Sequence, residues 1–141
     1  MATAAKVKQP PERETAFKLN EIVEKRGLAP SITLFKLYVP DIAARVKPGQ
    51  FVVLRADDRA ERVPLTVADF DREMGLITII FQAVGASTQR MEKLEQGGRI
   101  MDVVGPLGRP SHIEKFGTVV CVGGGVGVAP VYPIAKALHE R

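Results

Sequence analysis

From Phe17 onward, apolar and polar residues alternate in short runs, the period-two pattern of strands buried on one face. Residues 17–25 and 31–39 read as two extended runs separated by Gly27-Leu28-Ala29-Pro30. In the second run Thr33, Phe35, Leu37 and Val39 share a face, and Pro40 closes it. Lys47-Pro48-Gly49-Gln50 has the residue order of a type II turn, with glycine at the position that needs positive φ. It leads into a buried strand at 51–54. Another strand follows at 63–68, then a turn through 69–75 and a long strand at 77–84. Ile77, Ile79, Phe81 and Ala83 give that strand an apolar face. Thr78, Ile80, Gln82 and Val84 give it a mixed one suited to lining a ligand. A short helix is predicted at 87–95, with Met91 and Leu94 on one side and Gly97-Gly98 ending it. A strand at 100–104 then runs into Gly105-Pro106-Leu107-Gly108.

At Phe116 the pattern changes to strand, glycine loop and helix. Thr118-Val119-Val120-Cys121-Val122 is continuously apolar and rich in β-branched residues, which predicts a strand buried on both faces of a parallel sheet, with Cys121 a buried, unreactive thiol. Gly123-Gly124-Gly125-Val126-Gly127 follows, then a helix at 129–139. Pro130 suits the first turn of that helix, whereas Pro133 has no local explanation. The expected organisation is a flexible tail at 1–15, a β-rich domain at 16–113 and the start of an α/β domain at 114–141. The fold class is mainly β.

Composition narrows the chemistry. The 141 residues, 45% hydrophobic and 26% charged, suit one soluble domain and perhaps a fragment of a second. No stretch approaches the ~20 apolar residues of a membrane-spanning helix. A single cysteine excludes a disulfide scaffold and paired-cysteine metal sites. The net charge of +4 is spread among interleaved acidic residues, and tryptophan is absent, so nucleic-acid binding is disfavoured. The tail, with Pro10-Pro11, lacks the apolar run of a secretory signal, and a cytoplasmic location is expected. His112 and His139 are isolated, and no hydrolase or metal motif is present. No catalytic or metal-ligating side chain is assigned, and any chemistry is expected to come from a bound cofactor.

Three segments can hold a nucleotide, and each also has a purely structural reading. A strand entering the loop Gly123, Gly124, Gly125 and Gly127 and then a helix directs free N–H groups at one point, as phosphate requires. The full dinucleotide fingerprint is not met, because Val128 stands where Gly or Ala belongs. Arg62-Val63-Pro64-Leu65-Thr66 offers a guanidinium for a phosphate and a hydroxyl for a flavin nitrogen, or is an ordinary strand start. Gly85-Ala86-Ser87-Thr88 can bind an anion at a helix start or simply cap the helix.

The order of these motifs, Arg-x-Pro-Leu-Thr, Ile80-Phe81-Gln82, Gly-x-Ser-Thr, Gly-Pro-Leu-Gly and Gly-Gly-Gly-Val-Gly-Val-Ala-Pro, resembles the ferredoxin-NADP reductase superfamily. Residues 62–69 (RVPLTVAD) and 123–136 (GGGVGVAPVYPIAK) are most similar to the small subunits of NADH-dependent ferredoxin-NADP oxidoreductases, and next to electron-transfer subunits of dihydroorotate dehydrogenases. The resemblance implies a six-stranded antiparallel FAD-binding barrel followed by the first strand and helix of an NAD(P)-binding α/β domain. It implies that Val63, Pro64, Leu65 and Thr66 lie along the flavin, that Ile80, Phe81 and Gln82 hold the ribityl-phosphate part, and that Gly85, Ser87 and Thr88 take the pyrophosphate. Gly123 to Gly127 would admit the nicotinamide nucleotide. One departure concerns Arg62: the superfamily's Arg-x-Tyr-Ser spacing is a residue shorter, and no tyrosine is present to stack on the flavin.

The implied function is electron transfer by FAD between NAD(P)H and an iron–sulfur centre, with a larger iron–sulfur flavoprotein subunit and a ferredoxin as partners. The alternatives are a non-catalytic FAD-binding or docking fragment, or the electron-transfer subunit of a dihydroorotate dehydrogenase. Similar subunits carry a [2Fe-2S] cluster in a later cysteine-rich segment. The length therefore reads as part of a longer protein, whose strand at 118–122 is expected to be covered by a partner or a second copy.

Overall fold

The computed structural model describes residues 17–141; the expected tail at 1–15 lies outside them. Six strands, β1 (Ile22–Ala29), β2 (Ile32–Tyr38), β3 (Phe51–Arg55), β4 (Val63–Asp71), β5 (Leu76–Gln82) and β6 (Asp102–Leu107), form one antiparallel sheet in the order β1-β2-β5-β4-β3-β6. The sheet closes where β1 meets the chain leading into β6. There the Ile22 N–H donates to the Gly98 carbonyl at 2.8 Å, the Gly97 N–H to Ile22 at 2.8 Å and the Ile100 N–H to Asn20 at 3.0 Å. The result is the predicted six-stranded barrel, closed between β1 and the chain entering β6.

Its core follows the predicted faces. Thr33, Phe35, Leu37 and Val39 are buried from β2 and the residue after it, as are Ile77, Ile79, Phe81 and Ala83 from β5 and the residue after it. Phe35 and Phe81 meet edge to face with ring centroids 5.0 Å apart, a favourable aromatic geometry. Gly49 has φ of +93°, as the type II turn requires.

Several boundaries differ for physical reasons. β1 continues through Gly27, Leu28 and Ala29, because Gly27 pairs with Thr33 and Ala29 with Ile32; the turn is Pro30-Ser31, with Ser31 at φ of +62°. Cross-strand pairing outweighs the local cost of a glycine here. Residues 17–21 precede the strand, and Asn20 has positive φ. Pro40 opens a helix that the pattern did not predict, α1 (Pro40–Arg45), with proline in the first turn where its missing N–H does no harm. Arg72 stabilises the end of α1, donating to the Ala43 and Val46 carbonyls at 2.8 and 2.9 Å. β4 extends to Asp71, so the turn is confined to 72–75. The helix predicted at 87–95 is α2 (Ala86–Glu92), and Lys25 donates to the carbonyls of Glu92 and Leu94 beyond its end.

The largest difference lies at 118–122. This segment forms no strand, and Val120 and Val122 are 81% and 83% exposed. Cys121 is exposed as well, not buried. A strand covered on both faces needs neighbours for its hydrogen bonds and its side chains, and no described strand pairs with this one. The helix after the glycine loop does form, as α3 (Val128–His139) behind a 3-10 turn at Gly125–Gly127. α3 packs against β4 through a face that buries Ala129 and Pro133. Pro133 thus contributes its ring to the packing in place of the hydrogen bond it removes.

Candidate functional site

β4 belongs to two ladders. Val63, Pro64, Leu65 and Thr66 pair with Leu54, Val53, Val52 and Phe51 of β3. From Val67 onward the strand pairs with β5, Val67 opposite Ile79 through Asp71 opposite Leu76. The β4–β5 ladder therefore ends at Val67. Ile80, Phe81 and Gln82 keep only their β2 partners, Leu34, Thr33 and Ile32. Between 63–66 and 80–82 the sheet opens into a seam whose facing edges have no strand partner. Backbone donors and acceptors along such an edge are available to a ligand.

Side chains divide along this seam. Leu65, Thr66 and Ile80 are half-buried, and Pro64 and Gln82 are exposed. Phe81 points the other way, into the core against Phe35, so it offers the seam its backbone alone. Arg62 is exposed at the start of β4 and makes no hydrogen bond or ion pair among the described residues.

Three residues beyond β5, Gly85 stands before α2 with an extended backbone, φ −128° and ψ 173°. The Thr88 hydroxyl oxygen accepts the N–H groups of Val84 and Gly85 at 3.2 and 3.1 Å and donates to the Gly85 carbonyl at 3.2 Å. Thr88 is thus occupied in shaping the helix start, the capping role its sequence also allowed. Ser87 is half-buried, and its hydroxyl makes no bond among the described residues. The first-turn N–H groups complete the donors at this end, since nothing within a helix can accept them. Arg90 fixes α2 to the loop after β3, donating to both Asp57 oxygens at 3.0 and 3.2 Å. The Arg59 backbone N–H, aided by the Arg90 guanidinium, holds the Asp57 carboxyl below the usual carboxylate range.

The 3-10 turn Gly125–Gly127 touches β5 while α3 lies on β4, so the loop stands beside the strands that form the seam. Gly125 needs to be glycine, with φ of +56°, and a Cβ on Gly123 would press within 3.3 Å of the Val128 Cα. A Cβ on Gly124 or Gly127 would meet nothing within 4 Å, which leaves the loop's front open to a ligand. The fold therefore sets the 3-10 turn of the glycine loop against β5, the strand whose end leads through Gly85 into α2.

Pattern reading missed two links that hold these parts. Lys136 of α3 donates to Asp69 Oδ1 of β4 at 3.1 Å, and Arg90 bridges to Asp57. Opposite charges on separate elements carry no local signal, although Asp69 and Lys136 close the two segments, 62–69 and 123–136, already singled out. Among the described residues, no group of three or more His, Cys, Asp or Glu could hold a metal ion, and no helix is long and apolar enough to cross a membrane.

No protein-family model matches the chain. Over 122 residues, 86% of its length, it is 49% identical to the dihydroorotate dehydrogenase B (NAD(+)) electron transfer subunit homolog of Thermotoga maritima, of which it covers 43%. It superposes on the NADH-dependent reduced ferredoxin-NADP oxidoreductase, solved to give insights into flavin-based electron bifurcation. That match has a TM-score of 0.86 and 48% identity and covers 88% of this chain and 45% of the other. A ferredoxin reductase of carbazole 1,9a-dioxygenase, in its FAD apo form, matches with a TM-score of 0.67 and 27% identity over 86% of this chain and 40% of that one. The chain spans less than half the length of each of these proteins. With its ordered motifs set around a closed barrel, the chain is similar in both sequence and fold to these electron-transfer and ferredoxin reductase proteins.

Proposed function

We propose that this chain is the flavin-binding part of an electron-transfer subunit, serving transfer between NAD(P)H and an iron–sulfur centre of a larger partner subunit or a ferredoxin. The observation that carries the reading is the open seam at Val67, where two strand edges lack partners, with the glycine loop's 3-10 turn against one of those strands, β5. These residues fit FAD. Leu65 and Thr66 would lie along the isoalloxazine, with Val63 and Pro64 beside them and the backbone of Ile80, Phe81 and Gln82 along the ribityl chain. Ser87 and the N–H groups after Gly85 would take the pyrophosphate, and Arg62 is free to reach a phosphate. Gly123, Gly124, Gly125 and Gly127 would admit the nicotinamide nucleotide.

When bound, the flavin supplies the conversion between two-electron and one-electron transfer. The protein's own residues bind it, orient it and keep the nicotinamide face open. Thr66 would donate or accept a hydrogen bond at the ring, and Leu65 would shield the ring from water.

The purified protein is expected to be yellow, with a flavin absorbance band that NADH or NADPH bleaches under anaerobic conditions. Ser87→Ala is expected to weaken FAD binding about 10- to 100-fold in a fluorescence titration, the size of one hydrogen bond to a charged group. A band that NAD(P)H never bleaches would favour the non-catalytic FAD-binding fragment. A colourless protein that takes up no added FAD overturns the flavin reading.

A further inference from the structure

Asp69 and Lys136 stand apart from the other charges around them. One surface hollow is lined by Lys36, Asp69, Asp71, Arg72, Glu73 and Lys136, so several cations lie near Asp69. Lys36 pairs with Glu24 at 3.0 Å, and Arg72 is bound to the carbonyls at the end of α1. Of these three cations it is Lys136 that bonds to Asp69, at 3.1 Å, and this pair joins the barrel to α3. Asp69 is itself held in place, because the same oxygen accepts the Phe70 N–H at 2.9 Å.

The two residues also lie where movement would matter. Asp69 sits three positions along β4 from Thr66, beyond the bulge between Val67 and Asp69. Lys136 lies in the last turn of α3, roughly 14 Å along the helix from Gly127. Between them, Ala129 and Pro133 are the buried contacts of the helix. Beyond Pro133 no residue of α3 is fully buried, so the far half of the helix can rock on β4 unless its end is tied. Rocking would carry the glycine loop toward or away from the seam.

We propose that Asp69 and Lys136 are positioning residues, an ion-paired latch between barrel and α3 that holds the loop 123–127 in register with the seam. The inference rests on the reading of that loop as the nicotinamide side. The pair is partly exposed, so its effect is modest and weakens with salt.

Hydrogen exchange on the full chain tests the latch whether or not flavin is bound. Asp69→Asn keeps an oxygen for the Phe70 N–H but removes the charge, and Lys136→Met removes the other partner. Each is expected to speed amide exchange across 123–136 by about 3- to 5-fold, the range an exposed ion pair supports. Exchange in the barrel strands stays unchanged. Lys136→Arg restores slow exchange, and Lys36→Met, which breaks the neighbouring pair with Glu24, leaves the loop as it was. In the flavin-loaded protein the KM for the nicotinamide substrate is expected to rise by a similar factor in Asp69→Asn while FAD content holds. Unchanged loop exchange in both charge-removing variants overturns the latch. So does acceleration spread over the whole barrel, or an equal effect from Lys36→Met. If the exchange pattern appears in a protein that binds no FAD, the latch stands and the flavin reading fails.

Discussion

The barrel and the segment that follows it contain the same kinds of apolar residue with opposite outcomes. Phe35, Leu37, Ile77, Ile79 and Phe81 lie within the barrel at 1% exposure or less. Phe116, Val119, Val120 and Val122 are 43% to 83% exposed. In the barrel each strand finds its hydrogen-bond partners and its apolar cover among other described strands. The segment at 118–122 finds neither, and it forms no ladder. Apolar pattern thus states which residues could be covered, and a second surface decides whether they are.

This contrast can be broken or sharpened by substitution. The largest effect is expected for Phe81→Ala, which removes the ring packed against Phe35 and leaves a cavity in the barrel. Urea unfolding should show a loss of about 3–5 kcal/mol; a loss under about 1 kcal/mol would mean that the barrel core is not what holds this fold. Next comes Gly49→Ala. There φ is +93° and the new Cβ would collide with Ser111 Oγ and come within 2.8 Å of the Ser111 N, so both the turn and the chain leaving the barrel must shift. A loss of about 1–3 kcal/mol is expected in the same measurement. The smallest effect is expected for Val120→Thr, within about 0.5 kcal/mol, because the side chain contacts mainly water. A larger loss there would show that the segment is covered in solution and would erase the contrast.

The barrel was largely legible because its signals are local. Alternation placed the buried faces of β2 and β5, and Pro48-Gly49 placed a turn. The helix α1 was not, since six residues are too few for periodicity to show; Pro40 at its first turn was the available sign. At the site, the sequence named the segments but not the role of each side chain. Phe81 turned out to face the core, and the Thr88 hydroxyl to shape the start of α2. Ser87 and Thr88 are adjacent with similar hydroxyls, and only the backbone path determines which one folds back to Gly85.

Taken alone, the order of residues determined most of the strands, the faces they bury, the glycine loop and the motif order by which the chain resembles the ferredoxin-NADP reductases. These depend on side-chain alternation, turn chemistry and spacing, which act over a few residues. Tertiary structure decided where β4 leaves β5, and so where the seam opens. It also decided that Lys136 meets Asp69 and that 118–122 lies uncovered. Each of these depends on what a distant part of the chain brings alongside, and no local pattern carries that information.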